Sequence, residues 1–203
     1  MMDGTIFYWL AWLAWIGTTF IMRKSHPERL KLSAVLLLLV ILSDKAVSIY
    51  GTEITLSAIV IALTVMAVTF GTGFLQLLKI TISAFVVMLG YVSFLLIELY
   101  DPVWVLFDRV WMLAGCGFYL SVLLEKGLKE RLAIIFAGFL TGDFLYAFIL
   151  GNYSFPYKVS SLAFLDVAAL AAGMVVTWVG FSNIALAVGQ QILHGKGDKG
   201  LHE

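Results

Sequence analysis

Charge is scarce in this chain, and cysteine, proline and histidine are scarcer still. Only 13% of its 203 residues are Asp, Glu, Lys or Arg, about half the share usual in a soluble domain. That excludes an ordinary soluble enzyme. Thirteen basic residues balance thirteen acidic ones, so no basic excess is left to hold nucleic-acid phosphates. A single cysteine, Cys116, excludes a disulfide framework and a cysteine-based zinc cluster. The three histidines, His26, His194 and His202, are too scattered for a metal site, and no H-E-x-x-H pair is present. P-loop and Rossmann fingerprints are also missing, which removes nucleotide chemistry. No metal and no cofactor are expected.

What the chain does have is apolar length. Hydrophobic residues make up 62% of it, and the mean hydropathy is +1.00. Crossing a hydrocarbon core of about 30 Å takes roughly 20 mostly apolar residues. Seven runs approach that: Thr5–Met22, Leu32–Tyr50, Ile54–Gly73, Ile80–Leu99, Val103–Leu124, Leu132–Leu150 and Val159–Gly189. Pro27, Pro102 and Pro156 all fall between runs, as helix breakers should. The expected fold is therefore all-α, a polytopic bundle of seven transmembrane helices. Residues 1–189 form one domain, and the glycine-rich stretch 190–203 forms a flexible cytoplasmic tail. The lipid bilayer is its partner. A second membrane protein or a second copy remains open, and nucleic acid is excluded.

Short basic loops stay cytoplasmic. With the N-terminus outside, ten of the thirteen Lys and Arg face inward, leaving Lys45, Arg109 and Lys158 outside. The expectation is N-out and C-in at the cell membrane. MMDG lacks the basic start and cleavage site of a signal peptide, so the first helix is retained. Tyr8, Trp9, Tyr50, Tyr100, Trp104, Tyr153 and Tyr157 fall near the outer ends, like an interfacial belt. Trp9, Trp12 and Trp15 share a side of the first helix, where lipid contact or packing explains them. Ala169 and Gly173, four apart in the last run, suit close helix approach.

Several membrane chemistries fail on residue content. The seventh run has no lysine for a retinal Schiff base, and the histidines lie outside the runs, so a rhomboid-type serine has no base. What remains is charge inside the apolar runs, which is costly and usually faces a bundle interior. At 1.5 Å per residue, Asp44 lies about 12 Å from the outer face, Asp143 about 13 Å, Asp166 about 10 Å and Asp108 with Arg109 about 8 Å. Asp44, Lys45, Asp108, Arg109, Asp143 and Asp166 thus form an expected polar cluster in the outer half.

Three readings of the cluster compete. Lys45 and Arg109 can pair with aspartates and pin helices together, leaving two acids to be protonated, hydrated or hydrogen-bonded. The cluster can line an outward cavity for a small solute, ion or lipid head group, as in a small ion- or proton-coupled transporter. Or Asp143 and Asp166 can share a proton, as in an intramembrane aspartyl protease, although LTGDF lacks the first glycine of G-x-G-D. Asp108 and Arg109 diverge by about 100° around a helix, so they need separate partners. Lys45 is the expected partner of Asp108. One of Asp44, Asp143 and Asp166 is expected to answer Arg109.

The stretch YWLAWLAWIGTTFIMRK, followed by a short basic turn with Arg29 and an aliphatic helix, resembles the YphA-type integral membrane proteins of endospore-forming bacteria. Length and helix number agree along most of the chain. The resemblance implies a cell-membrane protein without established enzymatic activity, contributing to cell or spore envelope assembly. It implies no catalytic residues.

Overall fold

A computed structural model describes residues 3–22, 28–49, 52–105, 107–153 and 155–197. Among them the apolar runs form seven α-helices. These are α1 (Thr5–Ile16), α2 (Arg29–Leu42), α3 (Leu56–Thr69), α4 (Phe74–Tyr100), α5 (Arg109–Leu124), α6 (Leu128–Asn152) and α7 (Leu162–Gly197). The expected number of helices is met, but their lengths are unequal. α4, α6 and the Leu162–Leu186 part of α7 are long and apolar enough to cross a membrane. The stretch Thr5–Ile21, α3 and α5 are apolar but shorter. α1 closes in a π-helical turn, Gly17–Ile21, whose Thr18 and Thr19 carbonyls accept from the Arg29 guanidinium.

Three expected boundaries move for physical reasons. The second run was expected to stay helical to Tyr50, but α2 stops at Leu42. Ala46–Ile49 and Thr52–Thr55 instead form strands β1 and β2, paired antiparallel with Ile49 opposite Thr52. Valine, isoleucine and threonine around a central Tyr-Gly pair favour a two-residue hairpin over a helix. Tyr50 and Gly51 themselves lie outside the described residues, as do Arg23 to Pro27. A short strand β3 (Lys158–Val159) adds in parallel to β2. The fold is thus helical with a small three-stranded sheet, and not purely α. The fifth run was expected to begin at Val103. It breaks into a 3-10 turn at Pro102–Trp104, and α5 starts only where Asp108 caps it. α7 continues past Gly189 to Gly197, so the tail expected from residue 190 is helical at its start. Residues 198–203 lie outside the described part.

Successive helices alternate in direction. Tyr8 and Ser43 share a 2.8 Å hydrogen bond between the start of α1 and the end of α2. Arg109 and Glu98 join the start of α5 to the end of α4. The opposite end is tied by Lys79 to Glu125 at 2.8 Å and Lys129 to Glu28 at 2.7 Å.

The centre of the bundle is the α4–α6 contact. Helices in lipid gain little from hydrophobic burial against one another, so close packing must hold them. Gly138 and Gly142 of α6 supply it. A Cβ on Gly138 would lie 2.8 Å from the Ala84 carbonyl oxygen, and one on Gly142 would lie 2.8 Å from Tyr91 Cδ1. Val87, Ile134, Ile135 and Phe139 fill the space around this seam. The expected small pair on α7 plays a lesser part: a Cβ on Gly173 would meet Leu10 of α1 at an ordinary 3.7 Å. Trp9 and Trp12 point outward and are exposed, consistent with lipid contact.

Candidate functional site

Asp143 is the most deeply buried acid in the described bundle, with no exposed surface. α6 carries it to the end that holds β1–β3. Its carboxylate accepts from Ser160 N at 2.7 Å, Tyr91 Oη at 3.2 Å and Tyr157 Oη at 2.5 Å. Burial, and after it the Asp143 charge, push the Tyr157 phenol well above its ordinary range. Tyr157 therefore remains a donor at neutral pH. Ser160 adopts a left-handed backbone, φ 56°, which is uncommon for a residue with a Cβ. Its neighbours hold it there. Its carbonyl accepts from Thr55 Oγ1 at 2.6 Å, and its hydroxyl lies 3.0 Å from Ser57 Oγ. The knot joins α3, α4, α6 and the loop before α7.

Asp166, 4% exposed, does different work. Its two oxygens accept from Gly4 N and Phe7 N, each at 2.7 Å. A residue of α7 thus caps α1 from outside, satisfying two donors that a helix start leaves unpaired and placing negative charge at the positive end of the helix dipole. Gly4 is left-handed, φ 91°, and packs against Leu162, so glycine is needed at this turn.

The remaining expected site residues fare differently. Asp44 and Lys45 are exposed in the turn after α2 and not embedded in a span, because α2 ends before reaching them. Asp108 is exposed and accepts from Val110 N at 2.9 Å as the cap of α5, so it does not pair with Lys45. Arg109 Nε lies 3.1 Å from Glu98 Oε2; its partner is none of Asp44, Asp143 and Asp166. A glutamate one helix away at the same end reaches it first. Among the described residues neither Asp143 nor Asp166 forms an ion pair. The surplus acids are met by hydrogen-bond donors, and the two carboxylates do not share a proton.

Three of the six do gather around one cavity. A pocket of about 270 Å³ opens among the starts of α1, α5 and α7. Asp3, Asp108, Arg109 and Asp166 supply its charge, Tyr91 and Tyr157 separate it from Asp143, and Ile6, Leu113 and Phe164 line its apolar side. Asp143 sits one layer behind that wall, while Asp44 and Lys45 take no part in it.

Residues 3–200 match the family described as YphA-like integral membrane proteins. The chain belongs to that family. A relative from Bacillus subtilis (strain 168), named only as uncharacterized protein YphA, is 25% identical over 194 residues, 94% of each chain. No solved structure is detectably similar. This YphA-like chain is therefore an integral membrane protein, as its composition implies.

Several members of the site escaped sequence reasoning. Tyr91, Tyr157, Ser160, Thr55 and Ser57 are polar groups that look like ordinary helix or loop residues until the fold assembles them. Gly138 and Gly142 had a readable signal, because GFLTG is a G-x-x-x-G spacing. Glu98 stood two residues before the Tyr100-Asp101-Pro102 separator and was given no part in the expected cluster.

Proposed function

We propose that this YphA-like protein is a non-enzymatic, multi-pass protein of the cytoplasmic membrane that binds a small polar molecule or lipid head group at its outer end, in support of cell or spore envelope assembly. The observation that carries the reading is the 270 Å³ pocket with charged and apolar walls. Small-molecule sites have this form, a mostly apolar cleft with a few placed polar groups. An outward position follows from charge. Lys45, Arg109 and Lys158 lie at the pocket end, whereas Arg29, Lys31, Lys79, Lys126, Lys129 and Arg131 lie at the other. Basic residues gather on the cytoplasmic side, which supports an N-terminus outside and a C-terminus in the cytoplasm.

Binding is favoured over catalysis because the two buried aspartates spend their oxygens on protein donors. It is favoured over transport because apolar side chains of the α4–α6 seam, among them Val87, Ile134 and Phe139, fill the bundle beyond the pocket.

Two experiments test the reading. A reporter active only in the cytoplasm should work when fused after Lys31 or Arg131 and stay silent after Glu53 or Tyr153; activity at Tyr153 refutes the orientation. Ala163 lines the pocket, and Ala163→Trp should fill it without disturbing the core. Native mass spectrometry of membrane extracts should then show a bound small molecule or lipid on the wild type and none on the variant. Equal retention by a folded variant refutes the pocket reading.

A further inference from the structure

We infer that the pocket's ligand is a small zwitterion, with an ammonium group and an anionic oxygen group held a few bonds apart. The inference rests on the proposed binding function and specifies its chemistry. Size comes first. A cavity of about 150 Å³ accommodates benzene, so 270 Å³ suits a head group or an amino acid and is too small for a peptide or nucleotide.

Charge then selects within that size. Arg109 uses Nε toward Glu98, and among the described residues nothing engages its two terminal nitrogens. Those nitrogens form the fork that grips carboxylate or phosphate oxygens through two hydrogen bonds. On the same cavity Asp3 has no partner among the described residues, and Asp108 offers one oxygen beyond the one that caps α5. These carboxylates suit an ammonium group. Asp166 adds negative potential even though backbone donors occupy it. An anion alone would meet three carboxylates, and a cation alone would meet the guanidinium. A molecule carrying both charges satisfies each. The rings of Tyr91, Tyr157 and Phe164 on the wall add an aromatic surface of the kind that attracts ammonium groups.

Two sources share this chemistry, a phosphoethanolamine lipid head group and a free zwitterionic solute. The full chain is reconstituted in discs of phosphatidylglycerol alone and titrated with soluble O-phosphoethanolamine, glycine, ethylamine and inorganic phosphate. In parallel it is placed in discs with equal phosphatidylethanolamine and phosphatidylglycerol, and the retained lipid is read by native mass spectrometry. Saturable binding of the soluble zwitterions identifies a free ligand, and several-fold enrichment of phosphatidylethanolamine identifies the head group; either result supports the inference. Arg109→Gln should weaken binding by tenfold or more. Asp3→Asn, at an exposed position, should weaken it several-fold without endangering the fold. Ethylamine or phosphate binding as tightly as the zwitterions, or binding unchanged in Asp3→Asn and Arg109→Gln, overturns the inference. If Ala163→Trp still displaces a ligand in that case, the pocket stands and only the ligand class falls. If no probe binds and Ala163→Trp retains what the wild type retains, both fall.

Discussion

Replacing Asp143 tests the keystone of the end that holds β1–β3. The carboxylate is fully buried and serves three donors from two segments: Tyr91 on α4, and Tyr157 and the Ser160 backbone in the stretch between α6 and α7. Hydrogen bonds to a charged group contribute about 1.5–3 kcal/mol each, and a stranded buried donor costs about 1–3 kcal/mol. Asp143→Asn keeps one accepting oxygen and the volume. Its amide can donate to a phenol turned to accept, but it cannot serve every former donor. The expected loss is about 1–3 kcal/mol. Asp143→Leu leaves all three donors without an acceptor, and the Ser160 N–H cannot rotate away. That variant should lose about 3–5 kcal/mol, and the left-handed Ser160 should relax. Equilibrium unfolding in mixed micelles, titrated with denaturing detergent, measures both. The order wild type, Asn, Leu is the signature of the hydrogen-bonded hub. Asp143→Leu within about 0.5 kcal/mol of wild type, the usual range for surface substitutions, would refute it.

Gly138→Ala pushes a methyl into Val87 and the Ala84 carbonyl; it should destabilise by about 1–3 kcal/mol in the same titration. Asp166→Ala removes both external caps of α1 and should cost about 2–4 kcal/mol, with hydrogen exchange rising at Gly4 and Phe7 before the rest of the helix. The raised Tyr157 phenol binds its proton more tightly folded than unfolded. Its contribution is therefore full below the ordinary tyrosine value of about 10 and declines as pH rises above it. Alkaline titration of stability should show that decline, and Tyr157→Phe should make it shallower; an unchanged slope would refute the assignment.

The helices were legible because apolar runs and the proline-bearing separators are local signals. Their exact lengths were not. Asp44-Lys45 inside an apolar run was read as embedded charge, although a helix can end before such a pair, and the β-branched hairpin after it is a local signal that was outweighed by hydropathy. Asp143 and Asp166 were rightly singled out as buried, because charge within an apolar run is conspicuous. Their partners were hidden, since backbone N–H groups and phenols carry no sequence mark of what they will face. The Arg109 expectation failed for a related reason: it weighed the buried aspartates and overlooked Glu98, which the α4–α5 turn brings within reach. A cavity was one of three readings open to the sequence, and the walls of the observed pocket come from α1, α5 and α7, a juxtaposition only the fold creates.

The unequal helices have a consequence for where the protein sits. α2 and α3 are 14 residues each, about 21 Å at 1.5 Å per residue, while α4 has 27, about 40 Å. A hydrocarbon layer of about 30 Å is too thick for the first pair and too thin for the second. In the proposed seven-span arrangement the lipid tails would shorten along the α2–α3 flank unless the β1–β2 hairpin fills the gap, and along α4 they would stretch or the helix would tilt. Each ångström of misfit costs a fraction of a kcal/mol, so a shortfall of about 9 Å on one flank amounts to a few kcal/mol. The protein should therefore drift laterally toward thinner, more deformable patches of bilayer, sorted by its own lopsided girth.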